Sequence, residues 1–399
     1  MTWPVARVGD LADQVRGVSY AKREACSTAG DGLLPILRAG NITDDGLKLA
    51  DLVFVPSDKV AEKQLIRKDD IVIAASSGSL DVVGKAARAD RDLEAGFGAF
   101  CKVLRPHSGV EPRYFAHFFK TPQYRRRVSF VAAGANINNL RNRDLDDLEI
   151  PLPPLAEQKR IAAILDAADA LRAKRRESIK QLDALIQSTF IEMFGDPVTN
   201  PMGWNVAPLG SVVSEIYRYP SYYGIEYIES GIPEVRGELI RKDGTLETST
   251  HALRFIGRET AERFPRTRLS EGDLVMSVRG TVGKVGLVPS SLEGANITAN
   301  LMKISPRRET LNPVFFWKLL SSEHFQRHLT RASSSTTIAT IKAPVLKAIP
   351  IAVPPKRLQD DFAGSLALIE KQHSALISHE AGLQALFFSL QSRAFAGEL

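Results

Sequence analysis

The chain has 399 residues, room for two or three domains with cores of their own, and its 44% hydrophobic and 25% charged residues exclude a disordered or fibrous protein. No stretch approaches the ~20 uninterrupted apolar residues of a membrane-spanning helix, and the start MTWPVARVGD lacks a secretory leader's apolar core, so a cytoplasmic protein with no membrane partner is expected. A net charge of +6 suits a polyanion partner without proving one, and two cysteines with no CxxC pair or Cys/His cluster argue against a disulfide framework or zinc site; Cys26 and Cys101 are expected to be buried thiols.

In chain order, a first globular portion (residues 1–150) opens on a W-x-V stretch at Trp3 and carries short β-rich runs such as Ile71-Val72-Ile73 between Gly, Ser and Asp punctuation, the pattern of half-buried strands. Aromatic residues at helical spacing predict one helix over residues 113–130. Pro153-Pro154 then open a long helix, predicted over residues 155–194 within a segment 151–196, which Gly195-Asp196-Pro197 stop. A second globular portion (residues 197–350) repeats the strand signal at Leu274-Val275-Met276 and the aromatic helix at residues 313–331, and a second long helix fills residues 351–399.

These parts match in pairs. Trp3 pairs with Trp204, and Pro112, Tyr114, Phe115, Phe118, Tyr124 and Val128 return 201 residues later as Pro313, Phe315, Phe316, Leu319, Phe325 and Leu329. Ile137 and Leu140 return as Ile338 and Ile341, and Pro153-Pro154-x-x-x-Gln158 returns as Pro354-Pro355-x-x-x-Gln359. The offset drifts to 198 at Pro35 and 203 at Asp70, so the divergence lies in the first half of each copy. A shared scaffold with a variable surface is how binding modules with different targets differ.

Both long helices carry an apolar stripe at coiled-coil spacing, through Ile161, Leu165, Ile179, Leu182 and Ile186 in the first and Phe362, Leu366, Leu376, Leu383 and Phe387 in the second. Neither can hide its stripe alone, so the two are expected to pair. Either orientation is reachable along the chain; an antiparallel pair, with globular portions at opposite ends of a rod of roughly 60 Å, is the expectation. The fold class is therefore α+β, with two tandem α/β portions, each followed by a long helix.

The chemistry sets that enzymes need are missing. Gly280 to Gly286 is glycine-rich like a phosphate loop, but Val285 stands where that loop wants Ser or Thr, so a glycine-bearing hairpin is expected. No dinucleotide fingerprint, metal-binding His pair or nucleophile-base arrangement appears, and no catalytic, cofactor or metal residue is assigned. What does stand out is charge with aromatic interleaving. Lys22, Arg23, Arg125, Arg126, Arg127, Arg141 and Arg143 in the first portion, with Arg254, Arg258, Arg279 and Lys284 in the second, are candidates for DNA phosphates; Arg263, Arg266 and Arg268 extend the second set. Tyr217, Arg218, Tyr219, Tyr222 and Tyr223 could reach a groove or stack on a base.

With the repeat, the paired helices and the Pro-Pro-x-x-x-Gln signature, the chain resembles the specificity subunit of type I restriction-modification systems. Residues 34–42 (LPILRAGNI), 231–237 (GIPEVRG), 279–286 (RGTVGKVG) and 151–161 (PLPPLAEQKRI) carry the resemblance. It implies two target-recognition domains, each reading half of a bipartite asymmetric site on double-stranded DNA, and helices that set the gap. It also implies methyltransferase subunits docked on those helices and restriction or translocase subunits beyond them, with S-adenosylmethionine, ATP and Mg on the partners and none in this chain. Gln158, Gln359 and the seam residues are the helix-pair and partner-docking candidates. Two departures, Lys356-Arg357 inside the second signature and Gly364 and Gly382 in the second helix, suggest asymmetric partner contacts. The competing reading is a stand-alone restriction endonuclease or DNA methyltransferase with an unrecognised site.

Overall fold

The computed structural model describes residues 3–133, 139–197, 199–218, 225–279, 281–332 and 341–399. They form two compact units, Met1–Ile179 with Ala375–Leu399 and Lys180–Ser374. Each unit is thus one globular portion plus a part of each long helix.

The main strands of the first unit are β1 (Val5–Arg7), β2 (Ala12–Arg16), β3 (Leu33–Leu37), β4 (Val53–Pro56), β5 (Ile71–Ala74), β6 (Ala86–Arg88), β7 (Gly96–Phe97), β8 (Cys101–Pro106) and β9 (Glu149–Pro151). An antiparallel sheet in the order β2-β8-β5-β6 forms its centre, a second sheet runs β4-β3-β7 with β3 and β7 parallel, and β1 pairs with β9. The expectation of half-buried strands fails for β5, whose four residues are all buried. Its Ile71 and Ile73 face a core with Tyr114 and Phe115, while Val72 and Ala74 face a second core with Phe97 and Val103, so both faces are covered.

The aromatic segment is two helices, α1 (Pro112–Phe118) and α2 (Pro122–Ala133), and not one. Pro122 has no N–H to continue the first helix, and the Thr121 hydroxyl accepts the Tyr124 N–H at 3.2 Å to start the next. Next comes α3 (Leu155–Phe194), with the bounds the sequence predicted.

The second unit repeats the plan with β10 (Asn205–Pro208), β11 (Val213–Arg218), β12 (Ile232–Val235), β13 (Arg254–Ile256), β14 (Leu274–Ser277), β15 (Val285–Leu287), β16 (Asn296–Ile297), β17 (Leu301–Pro306), α4 (Pro313–Ser321), α5 (Glu323–Ala332), β18 (Pro350–Val353) and α6 (Lys356–Ala396). Its central sheet runs β11-β17-β14-β15, the same order as in the first unit, and β14 is again buried throughout. The Ser322 hydroxyl, accepting the Phe325 N–H at 3.3 Å, breaks the aromatic segment here too. The glycine run makes the expected hairpin: β14 pairs antiparallel with β15, and Gly283, at φ +92°, donates its N–H to Ser277 O.

Within each unit the long helices pair antiparallel. In the first, Arg160 Nη2 donates to Leu399 O at 2.7 Å, and Arg172 Nε, twelve residues further along α3, donates to Gln384 further back along α6 at 2.9 Å. In the second, Asp183 lies 3.2 Å from His373 and the Phe190 ring meets Phe362 at 5.5 Å. Ile161, Leu165 and Phe387 enter the first unit's core, and Ile186, Phe362 and Leu366 pack in the second's. Ile179, Leu182, Leu376 and Leu383 are half-buried. Gly364 and Gly382 leave α6 unbroken, on exposed positions where an added Cβ would meet nothing.

Candidate nucleic-acid interface

The central sheet of the first unit ends at a tight turn, residues 98–101, and two clefts meet there. One, of about 600 Å³, is lined by Tyr20, Arg38, Lys48, Ser76 and Phe100 among others; the second, of about 520 Å³, by Arg16, Lys102, Asn139, Arg141 and Arg143. Ser19, Ala99 and Cys101 line both. The approach of backbones that shapes this floor requires glycine at position 17, since a Cβ there would lie 2.1 Å from Gly98 O.

The clefts are basic for identifiable reasons. Arg16 ends β2 opposite Lys102 on β8, Arg38 follows β3, and Arg141 and Arg143 begin a short helix, Asn142–Asp146. Lys102 is almost fully buried and donates to Leu140 O at 2.7 Å; burial pushes its ammonium down to about 8, with Asp144 opposing that shift. Such a row of cations against a polar floor suits a phosphate backbone. At the turn itself Phe100 is 69% exposed.

The sequence candidates separate into several groups. Arg141 and Arg143 line the second cleft, although Arg143 also pairs with Asp147 at 3.0 Å. Lys22 and Arg23 lie exposed on a 3₁₀ turn beyond Tyr20, and Arg126 is exposed on α2. Arg125 is instead a brace: its guanidinium donates to Val83 O at 2.8 Å and Asp81 O at 3.1 Å, tying α2 to the β5–β6 connection. Arg127 donates to Asp147 O at 3.2 Å.

In the second unit, Tyr217 is not an open stacking platform, because Arg266 lies 4.2 Å over its ring and is held there by Glu215 at 2.7 Å. Arg258 and Arg263 pair with Glu262 and Glu259, while Arg254 lies 5.2 Å over Tyr227. Arg268 is exposed beside Gly294, and Arg279 and Lys284 are exposed at the β14–β15 hairpin. Arg218 Nε donates to Ala299 O at 3.2 Å. Tyr219, Tyr222, Tyr223, Gly280, Ile137 and Ile338 lie outside the described residues.

Gln158 and Gln359, candidates for the helix pair and for partner docking, are fully buried. Gln158 Nε2 donates to Pro153 O at 2.8 Å, and its Oε1 accepts the Glu111 N–H at 2.9 Å. Gln359 does the same with Pro354 O and the Asn312 N–H, both at 2.8 Å, and adds Thr310 O at 3.0 Å. The signature therefore locks each long helix to the segment before the aromatic helix, and these amides point inward. Ile161, Leu165, Phe362, Leu366 and Phe387 are buried as well; the exposed apolar residues of the helices are others, among them Leu171, Leu185, Leu368 and Phe388. Cys26 is exposed, contrary to expectation, while Cys101 is buried and its thiol pushed up to about 12. Among the described residues no group of three or more His, Cys, Asp or Glu could hold a metal, and no helix is long and apolar enough to cross a membrane.

Sequence reasoning missed Arg16, Arg38, Lys48, Tyr20 and Phe100. They converge from separate segments, and the one available signal, that Arg16 matches Arg218, emerges only when strand registers are compared, since Lys102 faces Arg16 as Met302 faces Arg218.

A family model described as the type I restriction modification DNA specificity domain matches residues 1–181 and again 219–375. The StySPI specificity subunit of Salmonella potsdam is 31% identical over 425 residues, spanning 100% of this chain and 89% of that protein. The EcoKI specificity subunit of Escherichia coli (strain K12) is 40% identical over 217 residues, 54% of this chain and 47% of that one. In fold, the chain is similar to a structure from a study of complex assembly and conformational transition in a type I R-M system, with TM-score 0.60 and 19% identity over 100% of this chain and 98% of the other.

Proposed function

The chain belongs to the type I restriction-modification DNA specificity family, and from that premise we propose that each globular portion binds one half of a bipartite asymmetric target on double-stranded DNA. Its role is DNA recognition within a complex of several subunits, and it is a non-catalytic specificity subunit. The observation that carries the half-site reading is the matched architecture: the same sheet order twice, with the surface around it changed. In the first unit the cation-lined clefts at the head of the central sheet bind the backbone, and the turn between them meets the bases.

The paired helices set the spacing between half-sites and dock methyltransferase subunits, with Leu171, Leu185, Leu368 and Phe388 supplying exposed apolar contacts. Restriction or translocase subunits join through that assembly. S-adenosylmethionine, ATP and Mg bind on those partners, and the complex works in the cytoplasm. Co-expression with the cognate methyltransferase subunit, followed by mapping of methylated bases, tests the reading. A split motif is expected, with one half exchanged when residues 201–350 are replaced by those of a relative. A continuous motif, or one indifferent to that exchange, would sink it.

A further inference from the structure

The two units differ most informatively at one backbone position. In the first, β7 leads into a turn in which the Cys101 N–H donates to Gly98 O at 2.8 Å; in the second, the Leu301 N–H donates to Thr298 O at 3.0 Å. Gly98 N–H is held by Leu37 O and Thr298 N–H by Val235 O, at the ends of the matched strands β3 and β12. At the tip, the Phe100 carbonyl accepts the N–H groups of Ala75 and Ser76, and the Asn300 carbonyl accepts that of Val278, so each turn is tied to the end of the central strand. Arg16 lines the cleft beside one turn and Arg218 donates to Ala299 O in the other. The turn closure, the tie to β3 or β12 and the tie to the central strand are all duplicated, and Ala99 matches Ala299.

What changes is the side chain that the scaffold holds out to solvent: Phe100 in one unit, Asn300 in the other, both exposed. An exposed phenyl ring on a pinned backbone gains nothing from the core and costs hydration. It offers a face on which a base can pack, including the thymine methyl, whereas an asparagine amide offers the donor and acceptor that match an adenine edge.

We propose that this turn is a specificity-determining position of each recognition domain, with Phe100 and Asn300 each contacting a base in its own half-target. The inference rests on the half-site reading above. Its test uses the chain assembled with its methyltransferase subunits. The split motif of the unaltered complex is mapped first, then those of Phe100→Ala, Phe100→Asn, Asn300→Ala and Asn300→Phe. Each substitution at 100 should relax or change preference at one position of one half-motif, by about tenfold to a hundredfold, and leave the other half untouched. Each substitution at 300 should do the reverse. Because neither side chain is in a core, the melting temperature of the complex should hold, and the salt dependence of binding should keep its slope because no phosphate contact is lost. An unchanged motif in all four variants, or an equal loss across both halves, would overturn the assignment. No split motif in the unaltered complex would instead overturn the reading beneath it.

Discussion

The two units share a skeleton and differ in what they place on it. Their buried machinery is nearly interchangeable: Gln158 and Gln359 make the same brace, and the aromatic segment breaks at the same place with Thr121 in one and Ser322 in the other. Away from it the equivalence lapses. Ile36, which pairs with Gly96 in the first unit, is matched by Glu234, which pairs with Asn296 in the second. That carboxyl is buried, with Tyr227 Oη donating to one oxygen at 2.9 Å and the other without a hydrogen-bond partner among the described residues. The contrast teaches that the junction with the long helices is constrained by packing, while the paired strands β12 and β16 tolerate even a buried carboxyl.

Several measurements would break or sharpen that contrast. The largest effect is expected at the helix junctions, where Phe362→Ala and Phe387→Ala should each cost about 3–5 kcal/mol in denaturant unfolding. If only one of them does so, the two junctions are not equivalent. Next, Gln359→Leu and Gln158→Leu should each cost about 1–3 kcal/mol by stranding buried backbone groups. The Gln359 variant should suffer more, because that amide satisfies three backbone groups and Gln158 two. Within the Arg125 to Arg127 cluster, Arg125→Ala should lower the melting temperature. Arg126→Ala should leave stability alone and weaken DNA binding across sequences, with a shallower salt slope.

The smallest effect concerns Glu234, whose burial holds its carboxyl above the usual carboxylate range. A raised folded value means that its stabilising contribution is present below the unfolded value and lost as pH rises through the folded one. The stability of the wild type should therefore fall from about pH 4 upward, a loss that Glu234→Gln removes. Identical pH profiles for the two proteins would show that the buried carboxyl is not under strain.

The sequence alone determined whatever depends on periodicity and local backbone rules. The bounds of α3, the glycine hairpin and the duplication were legible because helical spacing, positive-φ glycines and prolines act over a few residues. It could not place the break at Thr121, where one hydroxyl outweighs an otherwise continuous aromatic pattern, nor distinguish the bracing role of Arg125 from the exposure of Arg126 beside it. Tertiary structure alone decided that Gln158 and Gln359 turn inward, and that Arg38 and Phe100 line one cleft with Arg16 in the cleft beside it. Those residues lie on segments joined only by strand register, and register follows from how two buried faces pack, information that is not local to any stretch of chain.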